Sequence, residues 1–267
     1  MVVFNCLNSN SILFFKLVNW KIYIVEPVKT LIKPSERFRK NHFEQKAWAQ
    51  GQVVCGIDEV GRGCLAGPLV TAAVILPPGK AHPMLKDSKI MLAPERERAA
   101  LWIEKNCFWA LGIVHHRIID QHNIWHATLI AMKRALVNLL SIAPRQPSAI
   151  LIDAMPLNLF DTDHKAIPVY YFPFGESKSS SIAAASIIAK VKRDAMMTRV
   201  NEIFPGYHFD QNKGYRTPVH KKIVRAGSQL IIHRQNYLTH VLAYTQYDQQ
   251  QSILAQITQE EIMVIQE

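Results

Sequence analysis

The chain has 267 residues, of which 49% are hydrophobic, and its 31 Lys and Arg against 21 Asp and Glu give a net charge of +10. This length is enough to bury a full core in one large domain, and the basic balance favours a polyanionic partner, nucleic acid before an anionic membrane surface. The four cysteines show neither a C-x-x-C pair nor a zinc-like spacing, which argues against a zinc site and fits the reducing cytoplasm.

The two ends of the chain differ in charge. Residues 1–50 hold eight Lys and Arg against three Glu, whereas the Gln-rich residues 241–267 hold four acidic residues and no basic one. Two lysines interrupt the apolar stretch 11–25 (SILFFKLVNWKIYIV), which is shorter than the ~20 residues that a transmembrane helix needs. We therefore predict a basic N-terminal extension over residues 1–47, peripheral or poorly ordered, a folded domain over residues 48–240, and an acidic tail over residues 241–267.

From about residue 53 onward, short apolar runs that predict strands alternate with longer amphipathic runs that predict helices. The predicted strands are Val53–Ile57, Val70–Leu76, Phe108–Val114, Ala149–Ile152 and Ile167–Phe172. The predicted helices begin near Pro94 (to about Asn106, with apolar positions at Ala99, Leu101, Trp102 and Ile103), at Ile124 (to Ile142), at Ser180 (to Phe204) and after Pro218. This order predicts an α/β fold with a mixed central sheet and helices on its faces.

The first predicted strand runs into two adjacent carboxylates, Asp58 and Glu59, followed by the turn Gly61-Arg62-Gly63. An ionised carboxylate at the end of a buried strand is costly without a cation or hydrogen-bond donors. On its own, an Asp-Glu dipeptide is most often a solvated surface pair. The choice between that and a divalent-metal site depends on whether other carboxylates are presented in the same way.

Two further carboxylates are presented in this way. Asp153 directly follows the predicted strand Ala149–Ile152, and Glu176 comes shortly after the predicted strand Ile167–Phe172. Parallel strands in α/β sheets place such ends side by side, so we expect these side chains to converge. Oxygen-only ligation suits Mg²⁺ or Mn²⁺, and paired metals ~3.5–4 Å apart are a recurring means of phosphodiester cleavage. The carboxylates and the basic charge together predict a protein that binds a polyanion and cleaves it.

An ordered set of short motifs over about residues 48–240 resembles bacterial ribonuclease HII. The motifs are Asp58-Glu59-Val60-Gly61-Arg62-Gly63, Asp87-Ser88-Lys89, Asn123-Ile124, Leu151-Ile152-Asp153, SIAAASIIAK at residues 181–190, Lys213-Gly214-Tyr215 and His233-Arg234. The resemblance implies an RNase H-like fold with a helical C-terminal extension. It also implies endonucleolytic cleavage, with Mg²⁺ or Mn²⁺, on the 5′ side of a ribonucleotide in duplex DNA or in the RNA strand of an RNA–DNA hybrid.

The resemblance further implies roles for single residues. The loop Gly61-Arg62-Gly63 would contact the 2′-hydroxyl, the group that distinguishes RNA from DNA, and Tyr215 would stack on the neighbouring deoxyribose. Lys89 and Lys190 would contact phosphates. The family's four catalytic, metal-binding carboxylates would correspond to Asp58, Glu59, Asp153 and Glu176.

The residue types agree with these roles. Glycines on both sides of Arg62 permit close approach of the backbone to a sugar, and Tyr215 offers a flat face and a hydroxyl. A half-buried core tyrosine is the alternative reading of Tyr215. One departure from the family concerns Glu176, because an Asp in a Lys-Gly-Asp context is usual there. The longer side chain shifts the ligating oxygens, so we expect the role of Glu176 to be kept and the metal geometry or preference to be affected.

Other signals are weaker. His122 and His126 are spaced for one helix face but lack a third ligand, so we expect them to be structural or solvated. The basic run 190–193 is interpreted either as a solvated helix face or as a DNA contact.

The sequence thus predicts a cytoplasmic, metal-dependent endoribonuclease, without an organic cofactor or a membrane contact, that acts as a monomer on RNA–DNA junctions. Two alternatives stay open. A ribonuclease HIII-type enzyme would carry a larger N-terminal domain and typically lacks an Arg at the position of Arg62. A non-catalytic duplex-binding protein would use the carboxylates only to stabilise its fold.

Overall fold

The computed structural model describes residues 39–160 and 162–243, together with the backbone of residues 14–18 and 21–25. The strands are β1 (Phe14–Val18), β2 (Lys21–Val25), β3 (Val54–Val60), β4 (Leu69–Ile75), β5 (Phe108–Val114), β6 (Ala149–Asp153) and β7 (Val169–Phe172). The helices are α1 (His42–Ala49), α2 (Ala93–Asn106), α3 (His116–Ile142), α4 (Gly175–Lys178), α5 (Ser180–Ile203), α6 (Phe209–Asn212), α7 (Pro218–Arg225) and α8 (residues 235–243). Most of the predicted tail and of the predicted extension lie outside the described residues.

The central sheet is mixed, as predicted, with the strand order β5-β4-β3-β6-β7. The pairs β3–β4 and β4–β5 are antiparallel, whereas β3–β6 and β6–β7 are parallel. Apart from these five strands, β1 and β2 form an antiparallel pair of their own. The parallel half of the sheet brings the ends of β3, β6 and β7 to one edge.

Strand β3 is longer than predicted. Asp58 and Glu59 do not follow the strand but lie within it, opposite Ala72 and Thr71 of β4. The strand continues because its backbone ladder with β4 extends to the pair Val60 and Val70. Since side chains alternate between the two faces of a strand, Asp58 lies on the same face as Gly56, two residues earlier.

Helices cover both faces of this sheet, and one glycine on each face allows close contact. On one face Met132 and Leu136 of α3 pack against Ile57 and Ile152, and on the other Ala184 and Ile188 of α5 pack against Val70 and Val74.

A Cβ added to Gly56 would lie 2.1 Å from the carbonyl carbon of Ser181 in α5, and one added to Gly112 would lie 1.9 Å from the carbonyl oxygen of Ala131 in α3. The run of small residues in α5 therefore brings this helix directly onto β3, beside Asp58.

Two helices differ in detail from the prediction. The long helix predicted from Ile124 does begin there, but a separate helical segment, residues 116–122, precedes it, because Asn123 has a positive φ (61°) that interrupts α3. The side-chain oxygen of Asn123 accepts hydrogen bonds from the backbone N–H groups of Trp125 and His126. In α2, as predicted from Pro94 to about Asn106, one of the apolar positions does not face the core: Leu101 is 66% exposed, because it lies two residues from the buried Ala99 and Ile103.

Helix α1 crosses residue 47, where we expected the N-terminal extension to end. Glu44 is fully buried, and its Oε1 accepts hydrogen bonds from Ser179 Oγ (2.6 Å) and from the backbone N–H of Ser181 (2.9 Å). The side chain of Asn41 accepts a hydrogen bond from the N–H of Ser180 (3.2 Å). Residues 41–47 therefore belong to the packed part of the molecule, while the division of the chain into three parts stays a prediction.

Among the helices of the described part of the chain, none combines the length and the apolar character that crossing a bilayer requires.

Candidate functional site

Four carboxylates meet at the edge of the sheet where β3, β6 and β7 come together. Asp58 and Glu59 lie in β3, Asp153 is the last residue of β6, and Glu176 lies in α4, shortly after β7. Asp58 and Glu176 are each only 5% exposed. The structure therefore brings together the carboxylates that the sequence analysis selected, at the predicted edge.

The negative charges of these groups have their clearest effect on the pKa of Asp58. Burial raises the pKa of the Asp58 carboxyl well above its usual value, and the negative charges of Glu59, Asp153 and Glu176 raise it further. Burial also raises the pKa of Glu59, although the guanidinium of Arg62, 3.3 Å from its Oε1, favours the ionised form. Such a cluster of buried like charges is stabilised by a bound cation.

Neighbouring groups already hold one oxygen of each of three carboxylates. The backbone N–H of Glu59 donates to Oδ1 of Asp58 (2.8 Å), and that of Gly175 donates to Oδ1 of Asp153 (2.9 Å). The hydroxyl of Ser186 donates to Oε1 of Glu176 (3.1 Å). These contacts orient the carboxylates, and the hydroxyl of Ser186 also lies within reach of the Asp58 carboxyl.

The donor set fits a hard divalent cation, but the ligand shell is not closed. Oε2 of Glu59 is buried and has no hydrogen-bond partner among the described residues, which is costly unless a cation or water binds it. The ammonium of Lys89 lies 3.2 Å from Oε1 of Glu176. Within the described ranges no three His, Cys, Asp or Glu side chains stand ready to hold a metal ion. Metal binding therefore requires small movements of side chains, including that of Lys89.

The loop Gly61-Arg62-Gly63 borders the carboxylates and packs against the side chain of Arg193. Gly61 has a φ of 94°, and a Cβ there would lie 2.3 Å from Nε of Arg193. A Cβ at Gly63 would meet none of the described atoms within 4 Å. Gly61 is therefore needed for the packing of the loop on Arg193, whereas the space beside Gly63 is open and close approach of a ligand there stays a prediction.

A pocket of about 300 Å³ connects this loop with the other predicted contact residues. Tyr215 is partly buried in its wall, and its ring lies 5.1 Å from Nζ of Lys190 and 5.5 Å from the guanidinium of Arg193. Burial raises the pKa of the Tyr215 hydroxyl to about 12, so it stays protonated at neutral pH. The pocket is lined by Asp58, Glu59, Val60, Gly61, Arg62, Gly63, Ser88, Lys89, Arg96, Ser186, Lys190 and Tyr215.

Sequence reasoning missed two buried arginines that support the site. All three guanidinium nitrogens of Arg193 donate to backbone carbonyls, those of Pro68, Lys213 and Ala66. Arg193 is fully buried, so neither predicted reading of the run 190–193, a solvated face or a DNA contact, holds for it.

Arg234 is also fully buried, and it donates to the carbonyls of Gly67 and Arg62. Its place in the His233-Arg234 motif was the only sequence signal for it. His122 and His126, by contrast, are exposed, as expected of solvated residues.

Comparison with known proteins gives a consistent assignment. A family model described as ribonuclease HII matches residues 55–240. A ribonuclease HII of Levilactobacillus brevis is 44% identical over 197 residues, which cover 73% of this chain and 73% of the relative.

Among solved structures, that of the PCNA:RNase HII complex from Archaeoglobus fulgidus has a TM-score of 0.56 at 25% identity and covers 68% of this chain and 94% of its own. A Bst-RNase HIII in complex with Mn²⁺ has a TM-score of 0.57 at 24% identity and covers 72% of this chain and 70% of its own. The fold alone does not separate the two types, so the distinction depends on the family model and the sequence relatives.

Proposed function

This chain belongs to the ribonuclease HII family, and we propose that it is a metal-dependent endoribonuclease that cuts on the 5′ side of a ribonucleotide embedded in duplex DNA, or within the RNA strand of an RNA–DNA hybrid. One observation carries this proposal: four carboxylates, two of them almost wholly buried, meet beside a pocket that also holds the Gly61–Gly63 loop and Tyr215. The basic charge of the chain suits a nucleic-acid substrate.

In this proposal Asp58, Glu59, Asp153 and Glu176 hold two divalent ions, Mg²⁺ or Mn²⁺. When bound, such ions would supply the activation of a water and the stabilisation of the departing 3′ oxygen. Asp58 is central to the set that would hold them, because its charge interacts with those of the other three carboxylates. The hydroxyl of Ser186 and the backbone N–H of Gly175 keep Glu176 and Asp153 oriented.

The remaining residues of the site bind and orient the substrate. Both lone pairs of the Arg62 carbonyl are engaged, by the guanidinium of Arg234 (3.0 Å) and the hydroxyl of Tyr237 (2.8 Å). This leaves the N–H groups of the loop, on the open side at Gly63, to contact the 2′-hydroxyl. Lys89 and Lys190 supply positive charge for the flanking phosphates, and Tyr215 presents its ring to the adjoining sugar.

A cleavage assay with the full-length protein tests this proposal. A labelled DNA duplex with a single ribonucleotide should be nicked on its 5′ side in Mg²⁺ or Mn²⁺, leaving 3′-hydroxyl and 5′-phosphate ends, and should stay intact in chelator. A non-catalytic duplex-binding protein would bind equally well in chelator and leave the substrate intact with either metal, and that result would refute the proposal. The monomeric state and the cytoplasmic location stay predictions.

A further inference from the structure

Behind Tyr215 lies a pair of buried histidines that the mechanism above does not use. His220, in α7, and His233, just before α8, are both fully buried, and their Nε2 atoms are 3.0 Å apart. Nδ1 of His220 lies 2.9 Å from the backbone carbonyl oxygen of Tyr215. The pair is thus joined directly to a residue of the candidate site.

The hydrogen bonds of this pair are consistent with one arrangement of protons. The Tyr215 carbonyl can only accept, so Nδ1 of His220 carries a hydrogen, and in a neutral ring its Nε2 is then an acceptor. His233 must donate to it from Nε2, which leaves Nδ1 of His233 to accept from the backbone N–H of Leu230 (2.9 Å). The Leu230 carbonyl, 3.2 Å from the same nitrogen, already accepts from the backbone N–H of His233 (3.0 Å). A continuous chain of donors and acceptors therefore ends on Tyr215.

Packing holds both rings in place. The ring of Phe209 lies edge-on to His220, with centroids 5.4 Å apart. Burial lowers the pKa of both histidines, that of His233 to about 4, so both are neutral at neutral pH, as the chain of hydrogen bonds requires. Because each ring nitrogen has a partner in this buried setting, losing one nitrogen leaves another polar group unpaired.

The same region ties Tyr215 to the Gly61–Gly63 loop. The backbone N–H groups of Leu65 and Ala66, which follow the loop, donate to the carbonyl of Gly214 (2.8 and 3.3 Å). Ala66 also forms a β-bridge with His233. The carbonyl of Gly214 is thus held by the continuation of the loop, and that of Tyr215 by His220 and by the backbone N–H of Thr217 (2.9 Å).

We propose that the His220–His233 pair is a positioning device that holds Tyr215 in register with the Gly61–Gly63 loop, so that two adjoining sugars of the substrate strand, one with a 2′-hydroxyl and one without, are recognised together. This inference rests on the proposed function and deepens it. Junction recognition needs both contacts at once, whereas in a uniform RNA–DNA hybrid every sugar of the RNA strand carries the 2′-hydroxyl. Loss of the pair should therefore impair cleavage of a single-ribonucleotide duplex more than cleavage of a uniform hybrid.

The test compares kcat/KM for these two substrates and uses their ratio as the readout. The ratio should fall about ten-fold, or ~1.4 kcal/mol, in His220→Phe and in the double variant His220→Phe/His233→Phe, which keep the ring volume and remove the hydrogen bonds. His220→Gln keeps one donor and one acceptor and should retain most of the ratio. His122→Phe, at an exposed position of α3, is the matched control and should leave it unchanged.

Coupling to Tyr215 separates positioning from a general structural role. Tyr215→Ala should lower the ratio by itself, and adding His220→Phe to it should lower the ratio no further, because the two changes remove the same contact. A further full drop in the double variant would contradict the positioning role. Phe variants that fold and keep the wild-type ratio of kcat/KM for the two substrates would also contradict the positioning role.

A second measurement needs no variant. Two-dimensional ¹H–¹⁵N spectra of the wild-type imidazoles should show His220 protonated at Nδ1 and His233 at Nε2. The opposite tautomers would overturn the inference, even if the Phe variants do not fold. A wild-type protein that cleaves neither substrate would instead refute the proposed function, so the two failures are distinguishable.

Discussion

The ammonium of Lys89 lies 3.2 Å from the carboxylate of Glu176, at the rim of the four-carboxylate cluster. The side chain of Glu176 is 6% exposed and that of Lys89 is 73% exposed. A buried negative charge is therefore paired with an ammonium group that water can readily hydrate. Ion pairs with such an exposed partner are weak. Lys89 can therefore leave Glu176 at little cost when a metal ion or a substrate phosphate approaches.

Replacing Lys89 should separate metal binding from substrate binding. Lys89→Met removes a positive charge that repels the metal, so we expect the metal-free protein to bind Mn²⁺ about two- to five-fold more tightly, in line with the small energy of an exposed pair. The same variant should have a higher KM for the duplex, because it lacks the positive charge that we propose contacts a phosphate. Titration calorimetry with Mn²⁺ and steady-state kinetics measure the two effects. Lys105→Met, at an exposed position of α2, is the charge-matched control, and weaker Mn²⁺ binding by Lys89→Met would contradict this account.

Glu176 should tolerate a shorter acid but not an amide. Glu176→Gln keeps the size of the side chain and an acceptor for the Ser186 hydroxyl, but it removes the charge that a divalent metal needs, so most of the activity should be lost. Glu176→Asp keeps the charge, and it should retain much of the activity. Cleavage rates over a range of Mg²⁺ and Mn²⁺ concentrations provide the comparison. Full activity of the Gln variant would remove Glu176 from the metal shell.

The crowding of charge at Asp58 should cost stability when no metal is bound. The folded state raises the pKa of this carboxyl above the unfolded value of 3.8, so the folded protein loses stability as the pH rises through 3.8 towards the raised pKa. At neutral pH, metal-free Asp58→Asn should therefore have a free energy of unfolding about 1 kcal/mol higher than that of the wild type. It should unfold at a correspondingly higher temperature.

The gain in Asp58→Asn should shrink towards acid pH and disappear when Mn²⁺ binds the wild type. Thermal unfolding in chelator and in Mn²⁺, with the exposed Asp163→Asn as control, measures it. A variant less stable than the wild type in chelator at neutral pH would show that Asp58 is not under electrostatic strain.

Glu44 should be needed for stability although it precedes the residues that the family model matches. Glu44→Ala leaves the hydroxyl of Ser179 and the N–H of Ser181 without their buried acceptor, and we expect a loss of about 2–3 kcal/mol in the free energy of unfolding. Glu44→Gln keeps an acceptor oxygen and should lose less. Urea unfolding, with the exposed Glu97→Ala as control, provides the measurement. Equal stability of Glu44→Ala and the wild type would mean that the start of α5 does not depend on α1.

The sequence predicted most of the central sheet because each of its strands is a short apolar run, and it predicted the converging carboxylates because two of these runs end in an acid. It did not predict that β3 continues through Asp58 and Glu59, since that depends on pairing with β4. Arg193 shows a further limit. In a basic stretch of helix it looks like a surface residue, and only the folded chain shows that carbonyls such as that of Ala66, 127 residues away in sequence, engage its guanidinium. The support behind the site is built from such distant contacts, which no local pattern reveals.

We propose that the carboxylates around Asp58 form the metal site that cuts beside a ribonucleotide. A single-turnover reaction in Mg²⁺ tests this claim with the wild type and Asp58→Asn and a 5′-labelled duplex that carries one ribonucleotide, with binding measured in the same mixtures. We expect the wild type to nick the strand on the 5′ side of the ribonucleotide, and Asp58→Asn to bind the duplex without forming product. Cleavage by Asp58→Asn at the wild-type rate, or an intact substrate after incubation with the wild type, would contradict the claim.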